Sequence, residues 1–100
     1  RDAQESRGLG DVYKRQDQGI RSNCVCPGRV HTPFVDGYLA KNYPEEARPE
    51  IFRTLSEWQP IGRMGTPEEI AGMVGYLSSE KAAFITGTAF GIDGGVTNLR

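Results

Sequence analysis

Apolar and polar residues alternate irregularly through Gln16, and from Asp17 onward the pattern becomes orderly. Ile20 to Cys26 is a short β-type run with Gly19 before it and Pro27-Gly28 after it, which predicts a strand closed by a turn. Residues 27–44 are punctuated by Pro27, Gly28, Pro33, Gly37 and Pro44 and read as a loop, with a short helical turn through Val35–Lys41. Ile51, Phe52, Leu55 and Trp58 then fall at i, i+1, i+4 and i+7, one stripe of a helix between about Glu45 and Trp58, with Pro49 in the first turn of its regular part.

Thr66-Pro67-Glu68-Glu69 carries the sharpest local signal. The Thr66 side chain is placed to accept from a free N–H of the first turn, and Glu69 to reach back to the Thr66 N–H. Pro67 stands where a missing donor costs nothing. Ile70, Met73, Val74 and Leu77 follow as one apolar face, ending near Ser78–Ser79. Gly72 and Gly75 interrupt it, each costing about 1 kcal/mol relative to Ala, which points to close approach of another element. Thr88–Ile92 reads as a second strand, stopped by Asp93-Gly94-Gly95. Two strands joined through helices predict a parallel crossover of an α/β sheet, and the long connection after the first strand lies where such sheets place their ligands.

Residues 1–16 differ from the rest. Seven of the sixteen are charged and the apolar ones keep neither period, so the stretch is expected to be disordered or foreign to a domain spanning 17–100. A net charge of −1, from 12 basic and 13 acidic residues, provides no electrostatic footprint for nucleic acid or an anionic membrane. No apolar run approaches a membrane span, and the default location is the cytoplasm. Cys24 and Cys26 share one strand face and are expected to be small buried hydrophobes. With His31 as the single histidine, a metal site is not expected.

Three blocks carry a resemblance. GIRSNCVCPGRVHTP matches a G-I-R-V-N-x-V-x-P-G-x-V/I-x-T pattern at Gly19, Ile20, Arg21, Asn23, Val25, Pro27, Gly28, Val30 and Thr32, with Ser22 departing from the usual valine. PIGRMGTPEEI and FITGTAFGIDGG follow in order and at matching spacing. Together they resemble the C-terminal part of the short-chain dehydrogenase/reductase family.

The fold implied is the C-terminal portion of a Rossmann-like, doubly wound parallel α/β sheet. The activity implied is hydride exchange between NAD or NADP and an alcohol/carbonyl pair. Read from the residues alone, Pro27-Gly28 is a turn and Thr32 a cap for a helix entered at Pro33. The resemblance implies instead that Pro27, Gly28, Val30 and Thr32 bind the cofactor. The Val30 backbone would meet the nicotinamide carboxamide, and the Thr32 hydroxyl the carboxamide or the pyrophosphate.

The residues from Pro33 to Arg63 would cover a small-molecule substrate. A faint likeness to fucose-type sugar dehydrogenases points to a sugar, with a 3-oxoacyl thioester as the alternative. The last helix and strand would build a homo-oligomer. No catalytic residue is assigned: four residues after Tyr13 stands Asp17 rather than the family's lysine, and Gly8-Leu9-Gly10 lacks the third glycine of a dinucleotide fingerprint. The 100 residues alone are therefore expected to be inactive, and a truncated chain or oligomerisation module is the rival reading.

Overall fold

The computed structural model describes residues 19–100. The expectation for residues 1–16 lies outside the described residues. Strand β1, Cys24–Pro27, pairs in parallel with β2, Ala89–Ile92, in a register that sets Cys24 opposite Ala89 and Pro27 opposite Ile92. About sixty residues separate the two strands, and they hold the three longer helices. The predicted α/β crossover is therefore present.

β1 is shorter than the apolar run implied, because β2 offers a partner only from Ala89 onward. Upstream, side chains replace the ladder. The Asn23 amide donates to the Ile85 carbonyl (3.0 Å) and accepts from the Thr88 N–H (3.1 Å). The Ser22 N–H donates to the Thr86 hydroxyl (3.2 Å), and its carbonyl accepts from the Gly87 N–H (2.7 Å). Asn23 thus pairs with backbone through both atoms of its amide.

Helix α1 spans Pro33–Asn42. It replaces the expected loop with a short turn. Pro33 occupies the first turn, where its fixed φ favours the helix and its absent N–H is not needed, so the residue that read as punctuation is a start signal. A 3-10 turn at Glu45–Ala47 leads into α2, Arg48–Glu57, with Pro49 in its first turn as expected. Arg48 ties this junction to α1 by donating to the carbonyls of Tyr43 (3.0 Å) and Ala40 (3.2 Å). Past α2, Gln59 is almost fully buried, at 2% exposure. Its amide nitrogen donates to the carbonyls of Leu55, Ser56 and Arg63, which folds the chain back toward the next helix.

Helix α3, Pro67–Leu77, begins with the predicted capping box. The Thr66 hydroxyl accepts from the Glu69 N–H (3.2 Å), and Glu69 Oε1 accepts from the Thr66 N–H (2.9 Å). Arg63 adds what sequence spacing did not reveal, a two-pronged ion pair with Glu69 at 2.8 and 2.9 Å. This pair and the Thr66 N–H hold the Glu69 carboxyl down at about 2. At the other end, Arg21 donates to the carbonyls of Leu77 (2.9 Å), Ser79 (3.3 Å) and Ile85 (3.2 Å). A cation at a helix C-terminus satisfies orphan carbonyls and complements the dipole. A 3-10 turn at Glu80–Ala82 and helix α4, Val96–Leu99, complete the described elements.

Two expectations require correction. A Cβ built on Gly72 or Gly75 meets nothing within 4 Å, so among the described residues no element approaches these glycines. Cys24 and Cys26 are exposed rather than buried, because no described element covers their face of the two-stranded sheet. Local desolvation, followed by the neighbouring Cys26 thiol, pushes the Cys24 thiol up. The apolar core is small: Leu39, Met64, Leu77 and Ala82 are its buried members among the described residues. No described helix is long and apolar enough to cross a membrane.

Candidate cofactor site at the sheet edge

At its C-terminal end β1 runs into Pro27-Gly28, and the Gly28 N–H donates to the Ile92 carbonyl at 3.0 Å. The two strand ends are nearly in contact there. A Cβ on Gly28 would lie 2.8 Å from the Cα of Asp93, closer than real Cβ contacts come. Glycine is required for space, since its φ is not among the positive ones. Beyond it, the chain is gripped by a residue that the sequence reading passed over. The Gly65 N–H donates to the Arg29 carbonyl (2.8 Å), and the Gly65 carbonyl accepts from the His31 N–H (2.9 Å).

These two bonds form a parallel bridge centred on Val30 and Gly65. In such a bridge the flanking residues turn their polar groups toward the partner, and the central residue turns its own the other way. The Val30 N–H and C=O therefore point away from Gly65, and among the described residues neither has a backbone partner. Unpaired backbone groups held in this way are a ready hydrogen-bonding edge.

Thr32 is the N-cap of α1, yet its side chain makes no cap hydrogen bond; only its carbonyl serves the helix, accepting from Val35 (2.9 Å) and Asp36 (3.3 Å). The cap reading of its hydroxyl thus fails, and the hydroxyl is left for another partner. His31 faces elsewhere. Its Nε2 lies 2.7 Å from Asp36 Oδ1, and its ring packs edge-on to Phe52 at 4.9 Å, which fastens α1 to α2.

Pro27, Val30 and Thr32 line one wall of an open, mainly apolar depression of about 660 Å³. Pro67, Ile70 and Val74 of α3 form the facing wall. Gly28 does not line it; it lies behind, against Asp93. Asp93 shapes the turn after β2 as its position implied. Its carboxylate accepts from the Thr97 hydroxyl (2.6 Å) and from the N–H groups of Gly95 (2.9 Å) and Thr97 (3.1 Å). These bonds, led by the Thr97 side chain, hold the Asp93 carboxyl below the usual carboxylate range. The site thus consists of one sheet edge, one free hydroxyl and one apolar wall, set by glycines at 28 and 65.

Residues 9–97 match the family model described as enoyl-(acyl carrier protein) reductase. The chain belongs to the short-chain dehydrogenase/reductase family. It is 45% identical over 82 residues to dehydrogenase/reductase SDR family member 6 of Aquarana catesbeiana, covering 79% of this chain and 31% of that protein. It is 40% identical over 82 residues to the 2-keto-3-deoxy-L-fuconate dehydrogenase of Xanthomonas campestris, covering 81% of this chain and 26% of that one. Its fold superposes on the ligand-free aldohexose dehydrogenase of Thermoplasma acidophilum with a TM-score of 0.69 at 33% identity, covering 77% of this chain and 31% of that structure. The short-chain dehydrogenase/reductase segment seen here thus spans about a third of the length of the curated relatives it matches. Its parallel strands are part of a Rossmann-type sheet.

Proposed function

We propose that this chain supplies the nicotinamide-side wall of an NAD- or NADP-dependent oxidoreductase. Bound there, the cofactor would supply the hydride exchanged with an alcohol/carbonyl pair. The chain's own residues bind and orient. The outward N–H and C=O of Val30 match the donor and acceptor of a carboxamide. The Thr32 hydroxyl is free to bond the same group or a pyrophosphate oxygen. Pro27 and α3 present an apolar surface to one side of the site. The observation that carries this reading is the Val30–Gly65 bridge, because it leaves the Val30 polar groups unpaired at the ligand edge of a parallel sheet.

A sugar-like alcohol is the substrate class we favour, supported by likeness to proteins named for an aldohexose and for 2-keto-3-deoxy-L-fuconate. The 3-oxoacyl thioester is the alternative, supported by the description of the family model. Tyr76 of α3 is 46% exposed, which supports a homo-oligomer built on α3 and β2. None of the four tyrosines has a lysine four residues on, so the 100 residues by themselves are proposed to turn nothing over.

Cofactor titration of the Thr32→Val variant tests the site, because the substitution keeps the shape and removes one hydroxyl. Loss of one hydrogen bond worth about 0.5–1.5 kcal/mol weakens NAD(P) binding by about two- to twelvefold. Unchanged binding of both cofactors by Thr32→Val would return Pro27–Thr32 to a plain turn.

A further inference from the structure

Cys24 and Cys26 are the only two cysteines of the chain, and both stand in β1 with Val25 between them. Side chains alternate along a strand, so the two thiols rise from one face and Val25 from the other. The strand is held on two sides. Its pairing with β2 sets Ala89 beside Cys24 and Gly91 beside Cys26, so the neighbours on the thiol face carry one methyl group and none. On the opposite face, Val25 shares a cleft with Val74 and Leu77 of α3. Both cysteines are exposed. After local desolvation, the Cys26 thiol pushes the Cys24 thiol up through its charge and then its hydrogen bond, so the two sulfurs are in each other's reach.

The spacing selects the chemistry. Residues two apart in a strand stand about 6.6 Å from each other along it. A disulfide needs Cβ atoms no more than about 4.5 Å apart, so the two side chains would have to converge by about 2 Å. The β2 ladder and the Gly28 N–H to Ile92 carbonyl bond resist that bend. A metal ion between two thiolates suits the gap. At about 2.3 Å per metal–sulfur bond, sulfurs on opposite sides of an ion are about 4.6 Å apart, and an inward lean of about 1 Å by each side chain spans the rest. Among the described residues no group of three or more His, Cys, Asp and Glu side chains could hold a metal, and His31 is turned to Asp36 at 2.7 Å. A four-coordinate ion such as zinc therefore lacks donors here. A soft ion satisfied by two thiolates does not.

We propose that Cys24 and Cys26 together bind one soft, two-coordinate monovalent metal ion of the copper(I) class between their sulfurs. One cation and two thiols give a dithiolate complex of charge −1 and two released protons, with no change of oxidation state. The site is separate from the candidate cofactor edge: it lies on the face of β1 opposite α3, whereas Pro27, Val30 and Thr32 share their depression with α3. It goes beyond the oxidoreductase reading and does not rest on it.

The whole reduced chain is titrated without oxygen with copper(I) against a chromogenic copper(I) chelator, and with silver(I) as a second probe. Native mass spectrometry counts ions per chain, and proton release is followed in weakly buffered solution. One ion per monomeric chain and two protons per ion are expected. Cys24→Ser and Cys26→Ser should each lose the competition with the chelator, and zinc(II) should not displace copper(I).

Uptake of equal strength by either serine variant overturns the proposal. One ion shared between two chains also overturns it, as does equal competition by zinc(II). Melts of each variant show whether it remains folded, and alkylation of the unaltered chain provides a reading that needs no variant. In the copper(I)-loaded chain both thiols should resist iodoacetamide, and peptide mass mapping that finds either one labelled at the rate of the ion-free chain refutes a shared site.

Discussion

Replacing Gly28 by Ala tests the steric origin of the sheet edge. The added Cβ would stand 2.8 Å from Asp93 Cα, 2.9 Å from Asp93 Cβ and 3.1 Å from the Asp93 carbonyl oxygen. Comfortable separations are about 3.5–4.0 Å, so the two strand ends must part by roughly 1 Å. Neither end yields easily. The Gly28 N–H to Ile92 carbonyl bond ties them together, and the Asp93 side chain is fastened by Gly95 and Thr97. Overpacking of this kind costs about 1–3 kcal/mol, and a clash with backbone belongs at the upper end.

At about 4–8 °C per kcal/mol for a domain of this size, the melting temperature should fall by about 10–20 °C. Gly72→Ala is the matched contrast. Its Cβ meets nothing within 4 Å, and it removes a poor helix former from α3, so it should raise stability by up to about 1 kcal/mol. Thermal melts followed by circular dichroism, with cofactor titration below the transition, read both changes. If Gly28→Ala melts within about 2 °C of the parent, the strand ends are not in the contact described, and the geometry of the Val30 edge loses its foundation.

Thr66→Ala should lower stability by about 1 kcal/mol through loss of the capping box, measured by denaturant unfolding, while leaving cofactor affinity unchanged. Glu69 imposes a pH dependence: its folded value of about 2 lies below the ordinary 4.5, so the folded state binds fewer protons and the stabilisation is present above 4.5. It is lost as pH falls from 4.5 toward 2, and Glu69→Gln should flatten that limb of the stability curve. Turnover of NAD(P)H with any carbonyl substrate by the pure 100-residue chain, above a no-enzyme control, would contradict the proposed inactivity.

The most local features were the most legible. The capping box needs four consecutive residues and nothing distant, and Thr66 to Glu69 form it as read. The Asx turn at Asp93 is likewise local. Features that depend on long-range pairing were not readable. The start of β1 shifts to Cys24 because β2 begins at Ala89, a fact absent from the Ile20–Cys26 run itself. Arg21 reads as a polar residue beside a strand, and its three carbonyl partners lie more than fifty residues away. Pro33 carried two readings, punctuation of a loop and entry to a helix behind Thr32, and the second holds, since Pro33 opens α1.

Gly65 shows why the candidate site was only half visible. The resemblance singled out Pro27, Gly28, Val30 and Thr32 as one block, and Gly65 belonged to another block some thirty residues on. Only the fold makes them a single device. A Cβ on Gly65 would come to 3.7 Å from the Arg29 carbonyl, an ordinary contact, so glycine there is not demanded by crowding as it is at 28. What matters is the Gly65 backbone, which takes the Arg29 carbonyl and the His31 N–H out of play. By doing so it turns the Val30 groups outward. Any side chain at 65 that preserved those two bonds should preserve the edge, whereas a proline there would remove the donor to Arg29 and release the loop. The exposed Val30 edge is therefore set jointly by a steric requirement at 28 and a hydrogen-bonding requirement at 65, and neither requirement can be read from its own block.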